Sequence, residues 1–295
     1  MSRTIVLFLA GAVVASALAG VVGCKSGDDG GAASGPAPAA KKAGAGPADT
    51  ADKPGAGMRI ALVVKTMSNP FFQRMEEGAK QKAEELGAEL ECVAPARETD
   101  IDDQSNKVRD MIQSGVDAVL VAPAGSKEIV PVLLEAKQAG IITINLDNRV
   151  DAEAMAAAGL ELDAYVGADN EEGGYMAGKH LAELMGGKGV VTMIEGIPSA
   201  DNAIARREGF ERAMAESEGI EVIRPLQSGH WEQQEAYDIM TNLLQTSPEL
   251  GGLFCANDMM ALGAMGAIDD AGATGTLYVV SYDNLPEVQD SLAEG

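Results

Sequence analysis

Residues 65–72, which read Lys-Thr-Met-Ser-Asn-Pro-Phe-Phe, combine side chains well suited to hold a small polar molecule. They join an apolar run at 60–64, typical of a strand buried in a parallel sheet, to a segment typical of a helix capped by Ser68 or Asn69. Ligands bind at the carboxyl ends of strands in open α/β sheets. The predicted chemistry is hydrogen bonding by an ammonium and an amide beside two aromatic rings. The alternative is that the rings are core residues and Asn69 only caps the helix.

Polar side chains also follow several other strand-like runs, which indicates one shared cleft. Right-handed crossovers place the carboxyl ends of parallel strands at one edge of a sheet. Taken singly, each residue has an ordinary role, such as a helix cap for Asn257 or a core position for Trp231. Together, these carboxylates, amides, rings and an arginine suit the hydroxyls and C–H face of a sugar or polyol. They lie at 147–149, 201–206, 230–231, 257–258 and 283–284.

The elements that must position these residues alternate between strands and helices from Met58 onward. Such alternation predicts βαβ units with parallel sheets, and the length suits two modest lobes better than one core. The predicted strands are 60–65, 89–93, 118–122, 141–145, 165–167, 190–194, 221–226, 252–256 and 277–281. The predicted helices are 70–86, 101–114, 127–138, 171–185, 203–218, 232–245 and 258–270.

Residues 1–24 are predicted to be an export signal rather than part of the fold, with a basic Arg3, an apolar run at 5–18 and a cleavage pattern at 21–24. Val-Val-Gly-Cys at 21–24 resembles the lipobox of bacterial lipoproteins, which implies lipidation of Cys24. A plain secretory signal is the alternative. Residues 25–57 lack aromatic residues and are rich in Ala, Gly and Pro, which predicts a flexible tether.

Composition and missing motifs exclude several classes of protein. The chain has 22 basic and 45 acidic residues, a formal net charge of −23, which argues against nucleic acid as a partner. It has no nucleophile elbow, Walker loop or strand-following dinucleotide fingerprint, so neither enzyme activity nor a cofactor is predicted. No Cys/His cluster is present, so no metal site is predicted. Cys92 and Cys255 are expected to be buried thiols in different lobes, with pairing as the alternative.

Five motifs in order resemble the periplasmic sugar-binding proteins of the ribose-binding family, and the allose-binding type within it. The resemblance implies the type I periplasmic binding protein fold, with two Rossmann-like α/β lobes at 58–168 and 169–295 joined by a hinge. It also implies an ABC-type importer, whose permease receives a monosaccharide after the lobes close on it. The motifs are Val-Val-Lys-Thr-Met-Ser-Asn-Pro-Phe-Phe at 63–72, Asn-Leu-Asp at 145–147, Ile-Glu-Gly at 194–196, Ala-Arg-Arg-Glu-Gly-Phe at 205–210 and Cys-Ala-Asn-Asp-Met-Met-Ala-Leu-Gly at 255–263.

The same resemblance implies a set of ligand-binding residues that donate to or accept from sugar hydroxyls, or that pack on the ring. Ribose binders have arginine after the aspartate, whereas this chain has Asn148 and then Arg149, so either could face the ligand. Lys65 replaces a shorter side chain of ribose binders, which favours an allose-like aldohexose. The implied ligand-binding residues are Lys65, Asn69, Phe71, Phe72, Asp147, Asn148, Arg206, Trp231, Asn257 and Asp283.

Relatives of this kind continue beyond the position of Gly295 through another hinge crossing, a ligand glutamine and a closing helix. The resemblance therefore implies that a carboxyl-terminal part of the fold is missing and that the chain as written binds poorly. One alternative function stays open, a sensory binding protein that presents a sugar-like signalling molecule to a membrane receptor such as a chemoreceptor. A sugar-responsive repressor is disfavoured, because an export signal stands where its DNA-binding helices would be.

Overall fold

A computed structural model describes residues 6–9, 53–224 and 226–294, with side chains at 53–224 and 226–291. The predicted lipidation site, Cys24, and the greater part of the predicted tether lie outside these ranges. No helix within them is long and apolar enough to cross a membrane.

The first lobe is a parallel sheet with both faces buried. Alternate residues of one central strand face opposite cores: Ala61 and Val63 pack in one apolar cluster, Leu62 and Val64 in another that includes Phe72. This explains its continuous apolar sequence. The strands are β2 Arg59–Val63, β3 Glu89–Val93, β4 Ala118–Val121, β5 Ile142–Leu146 and β6 Ala164–Val166, in the order β3-β2-β4-β5-β6. The helices are α1 Pro70–Leu86, α2 Ile101–Ser114, α3 Val130–Gln138 and α4 Ala152–Ala158.

Residues 167–169 carry the chain from β6 into the second lobe, which has its own parallel sheet and core. The prediction of two α/β lobes with parallel sheets is confirmed. The sheet contains β1 Val6–Leu9, β7 Lys188–Glu195, β8 Gly219–Val222, β10 Leu250–Cys255 and β11 Tyr278–Asp283 in the order β1-β11-β10-β7-β8, and β9 Gln227–Ser228 pairs with β7. The helices are α5 Asn170–Leu184, α6 Asp201–Ala215, α7 Gln233–Thr246, α8 Asp258–Asp270 and α9 Pro286–Glu294.

Two predictions about the amino-terminal region need correction. The backbone of β1 pairs in parallel with β11, so in the uncleaved chain these four residues of the predicted export signal belong to a sheet. The predicted tether ends earlier than expected, since Gly55 N donates to Leu86 O at 2.9 Å and Lys53 Nζ to Glu84 O at 2.7 Å. Residues 53–57 therefore lie against the end of α1.

The two thiols stay apart, as predicted. Cys92 lies on β3 in the first lobe and Cys255 on β10 in the second, and both are free. Cys255 is buried, whereas Cys92 is only half-buried, so the expectation of burial is wrong for Cys92 because its strand lies at the edge of the first sheet.

Glycines let α5 and α6 approach closely. A Cβ at Gly209 would lie 1.9 Å from Glu171 O, and a Cβ at Gly174 would lie 2.1 Å from Arg206 O. Neither site has room for a methyl group, so we expect Gly209→Ala to lower the free energy of unfolding by about 1–3 kcal/mol. Gly78→Ala on the exposed side of α1 is the matched control, because nothing lies within 4 Å of its added Cβ.

The control should instead stabilise the protein by about 0.5–1 kcal/mol, since alanine restricts the unfolded chain and favours the helix. Chemical denaturation measures the free energy of unfolding of both variants, which should fall for Gly209→Ala and rise for Gly78→Ala. Equal effects at both positions would contradict the close approach of α5 and α6.

Candidate functional site

The first wall of the cleft is the loop between β2 and α1. Asn69 Oδ1 accepts from Phe71 N at 3.0 Å and so caps α1, while Asn69 Nδ2 donates to Glu98 Oε1 at 3.0 Å. The rings of Phe71 and Phe72 meet edge to face, with centroids 5.1 Å apart. The cap therefore fixes both rings and holds one amide at the cleft, so Asn69 is both a helix cap and a cleft residue.

Charged groups of the first lobe form a buried cluster around Lys65. Its side chain is 2% exposed, and its Nζ lies 3.3 Å from Asp147 Oδ2 and 3.9 Å from Glu98 Oε2. Burial raises the pKa of Glu98 to about 7, although the Lys65 ammonium opposes that rise. The cluster offers one ammonium, one carboxylate and one carboxyl group near its ionisation point, and these can donate to or accept from hydroxyls.

The raised pKa of Glu98 predicts a pH-dependent stability. The pKa of Glu98 is 4.5 in the unfolded chain and about 7 in the folded protein. Between these pH values the folded protein binds more protons at Glu98 than the unfolded chain does, so the stability that protonation provides is lost as the pH rises through this range. The contribution is on the order of 3 kcal/mol. Glu98→Gln should remove it, and the free energy of unfolding of the variant should fall less between about pH 5 and about pH 8 than that of the wild type. If the free energy of unfolding changed with pH in the same way in both proteins, Glu98 would not be the source of this pH dependence.

The second wall is built around Arg206 on α6. Its Nε donates to Asn170 Oδ1 at 2.9 Å, its Nη1 donates to Ala256 O at 2.6 Å, and its guanidinium stacks 3.6 Å from the centre of the Tyr282 ring. Asp283 Oδ1 lies 3.9 Å from Nη1. Burial raises the pKa of Asp283 to about 8, with Arg206 opposing and nearby acids adding to the rise. The arginine is therefore fixed in one orientation with a face towards the cleft.

Trp231 and Asn257 complete this wall. Asn257 Oδ1 accepts from Met260 N at 2.9 Å as the cap of α8, and its Nδ2 lies 3.4 Å from Trp231 O. The indole is 4% exposed and lies against Gly196, where a Cβ would be 2.0 Å from the ring. Trp231 Nε1 is buried without a hydrogen-bond partner, and so is Asn202 Oδ1. Two residues that line the cleft thus carry a buried donor and a buried acceptor without partners, which is costly unless a polar ligand satisfies them.

Left-handed backbone conformations concentrate at this cleft. They are uncommon for residues other than glycine and mark positions that the surrounding structure must enforce. At Asp147 and Trp231 the turn directs the side chain into the cleft immediately after a strand or loop. In the described part of the chain these conformations occur at Asp147, His230, Trp231, Asp283 and Asn284.

The two walls lie close together, and the cavity between them is only about 20 Å³. Ligand pockets usually hold ~300–1,000 Å³, so the walls must move apart before a sugar ring can enter. Nine of the ten predicted ligand-binding residues are brought together here. The lining residues are Lys65, Asn69, Phe71, Phe72, Glu98, Asp147, Asn202, Arg206, Trp231, Asn257 and Asp283.

Asn148 is the predicted residue that does not line the cleft, and Arg149 does not line it either. Asn148 is fully buried, its Nδ2 donates to Pro123 O at 2.9 Å, and its Oδ1 accepts from Asn202 N at 3.0 Å. The exposed guanidinium of Arg149 lies 3.8 Å from the centre of the Tyr165 ring. The left-handed turn at Asp147 sends the next two side chains away from the space that Asp147 faces.

Sequence reasoning missed Glu98 and Asn202 as site residues. Glu98 follows β3 within the same kind of loop that identified the other candidates, so the strand-end rule applied to β3 would have found it. Asn202 was among the polar residues after β7 but was not assigned a role. His230 is oriented outside the cleft by a contact of its Nδ1 with Glu235 Oε2 at 2.6 Å. That side chain is 40% exposed and does not line the cleft.

Two α/β lobes closed over a polar cleft with aromatic walls define a ligand-binding protein of the hinged, two-lobed class. The chain belongs to the family described as periplasmic binding protein domain, whose model matches residues 60–295. It is 40% identical over 239 residues to the D-ribose/D-allose-binding protein of Pseudomonas aeruginosa, covering 80% of this chain and 74% of that protein.

Two further relatives are also connected with D-allose, one by its name and one by its bound ligand. The chain is 32% identical to the D-allose-binding periplasmic protein of Escherichia coli, covering 80% of this chain and 76% of that protein. Among solved structures, a periplasmic solute-binding protein of an ABC transporter from Actinobacillus succinogenes, with bound D-allose, has 39% identity and a TM-score of 0.75. The match covers 81% of this chain and 82% of that one.

Proposed function

We propose that this protein is the substrate-binding component of an ABC-type sugar importer and that it captures a monosaccharide between its lobes. The observation that carries the proposal is the lining of the cleft, which brings buried charged groups and aromatic rings from both lobes together. Trp231 Nε1 and Asn202 Oδ1 supply an unpaired donor and acceptor. A compact molecule with many hydroxyls and an apolar C–H face satisfies this set of groups.

The ligand is an allose-like or ribose-like sugar. Lys65 adds an ammonium to the wall, so a hydroxyl that reaches it gains a charge-assisted hydrogen bond. Relatives named for D-ribose and D-allose, and a solved relative with bound D-allose, support the same class. Discrimination between epimers follows from closure, since a misplaced hydroxyl leaves a buried partner unpaired at a cost of about 1–3 kcal/mol.

The mechanism is conformational rather than chemical. A ligand that contacts both lobes binds the closed arrangement better than the open one, and this difference in affinity shifts the population towards closure. The permease then receives a chain whose two lobes are held together. No bond of the sugar is made or broken, so the sugar should be recovered unchanged after prolonged incubation with the protein; a new product would contradict this.

The protein acts outside the cytoplasmic membrane and is held there by a lipid. Membership of a periplasmic family supports export, and Val-Val-Gly-Cys at 21–24 supports the anchor at Cys24. Mass spectrometry of the mature protein tests the anchor. A lipid-modified cysteine at the new amino terminus is expected, and an unmodified Cys24 in the mature chain would contradict it.

A thermal-shift panel tests the proposed ligand class. Aldopentoses, aldohexoses, ketoses and polyols are compared with a disaccharide, using the chain alone and the chain extended by the carboxyl-terminal segment of the D-allose-binding relative. At a hundred times the Kd, a native-state ligand stabilises by about 2.7 kcal/mol, roughly 5–10 °C for a chain of this size. A shift with one monosaccharide but not with the disaccharide supports the proposal. No shift in either form would contradict it.

The same panel separates weak binding by this chain from absence of a sugar site. Stabilisation of only the extended form fits the expectation that the chain as written binds poorly. Strong, stoichiometric binding by the chain alone would overturn that expectation while supporting the function.

A further inference from the structure

Helix α6 begins without a cap from its own lobe. Its N-cap position is Ala200, which has no side chain that could accept a hydrogen bond. Ala203 N and Ile204 N both donate to Ala200 O at 3.1 Å, so the backbone satisfies these two groups. The N–H groups of Asp201 and Asn202 are left, and the first N–H groups of a helix need partners from outside it.

Both partners come from the first lobe. Asp201 N donates to Ser126 Oγ, and Asn202 N donates to Asn148 Oδ1, each at 3.0 Å. Asn148 Nδ2 also donates to Ser126 Oγ at 3.2 Å and to Pro123 O at 2.9 Å. Ser126 is 4% exposed and Asn148 fully buried, so these acceptors are oriented within the first lobe before α6 meets them.

We propose that Ser126 and Asn148 form a latch between the lobes, a pair of acceptors that caps α6 only when the lobes are together. Opening the cleft leaves two helix N–H groups without protein partners, whereas Ser126 Oγ keeps the bond that it accepts from Asn148 Nδ2. A helix cap normally stabilises the segment that contains it, and here this contribution belongs to closure instead. The latch therefore holds a measurable fraction of ligand-free protein closed.

The latch also positions residues that would bind the ligand, and this part of the inference rests on the proposed function. Asn202 lines the cleft, donates its backbone N–H to Asn148, and has a buried Oδ1 without a partner. Arg206 lies one helical turn further along the same helix. Fixing the start of α6 thus fixes a ligand acceptor and a ligand donor, so Ser126 and Asn148 are positioning residues that need not touch the sugar.

Amide hydrogen exchange read by NMR tests the latch without any ligand. In Ser126→Ala the Asp201 amide loses its acceptor, and its exchange should speed up about fivefold, the effect of one hydrogen bond. Ser217→Ala is the matched control, because Ser217 Oγ donates to Ala213 O just beyond the opposite end of α6 and within one lobe. Amides of β4 and β10 check that both lobes remain folded. Equal exchange at Asp201 in wild type and Ser126→Ala would overturn the latch.

A second arm adds D-allose and separates this inference from the proposed function. D-allose should slow exchange at Asp201 and Asn202 in the wild type, and its Kd should weaken about fivefold in Ser126→Ala but not in Ser217→Ala. An unchanged Kd in Ser126→Ala would overturn the link to recognition. If no sugar binds any form while Ser126→Ala still speeds exchange, the proposed ligand is wrong and the latch stands.

Discussion

Replacement of Asp147 by asparagine is expected to weaken monosaccharide binding by about a hundredfold. Hydrogen bonds to a charged group contribute about 1.5–3 kcal/mol each, and a carboxylate that accepts from two hydroxyls exceeds the 2.7 kcal/mol of a hundredfold change. Asp147 Oδ2 lies 3.3 Å from Lys65 Nζ, so the variant also leaves a buried ammonium with Glu98 as its nearest carboxyl group. Isothermal titration with the sugar identified by the thermal-shift panel measures the loss.

Asparagine is the informative replacement because the backbone here is left-handed, with φ of 57°. Asparagine tolerates that conformation, whereas alanine would add backbone strain to the loss of the carboxylate. Asp110→Asn, on the exposed side of α2, is the control for removal of one negative charge from an acidic protein. Wild-type affinity in Asp147→Asn would remove this residue from the ligand site.

Replacement of Trp231 by alanine is expected to abolish binding and to lower the free energy of unfolding by about 3–5 kcal/mol. The indole fills the space against Gly196 and lies with its ring centre 5.6 Å from Lys65 Nζ and 5.5 Å from the Arg206 guanidinium. Its loss opens a cavity and removes the flat surface on which a sugar ring packs. Calorimetric titration and chemical denaturation measure the two effects.

Trp231→Phe separates the ring from its N–H. Phenylalanine keeps an aromatic face but cannot donate, so the unpaired Nε1 of the wild type predicts about a tenfold loss of affinity with little loss of stability. Full affinity in the phenylalanine variant would show that Nε1 is not used by the ligand. Full affinity in the alanine variant would place the sugar elsewhere.

The regular part of the fold was predictable because its periodicity is strong. Helices α1, α2 and α8 begin and end at the predicted residues, since apolar positions at helical spacing are bounded by caps or glycine. Helix α4 was missed because it is seven residues long and buries no side chain, so its sequence carries no apolar pattern. The two-residue strand β9 is too short for any alternation.

The site was predictable to the extent that strand ends determine it. Asp147 and Asn257 follow buried strands and Asp283 ends one, and parallel topology brings the three to one place. Asn148 was assigned wrongly to the cleft lining because the left-handed turn at Asp147 reverses the direction of the following side chains, and residue types alone do not specify that turn. Asn148 instead accepts a hydrogen bond from the start of α6 in the other lobe. This contact can be recognised only when both lobes are in place.

Intrinsic fluorescence tests the central claim most directly, because Trp231 is the only tryptophan in 295 residues and lines the cleft. The chain and its extended form are titrated with D-allose, D-ribose, the other monosaccharides of the panel and a disaccharide. We expect a saturable change at one sugar per protein with at least one monosaccharide and none with the disaccharide. No change with any monosaccharide in either form would contradict a sugar-binding cleft between these lobes.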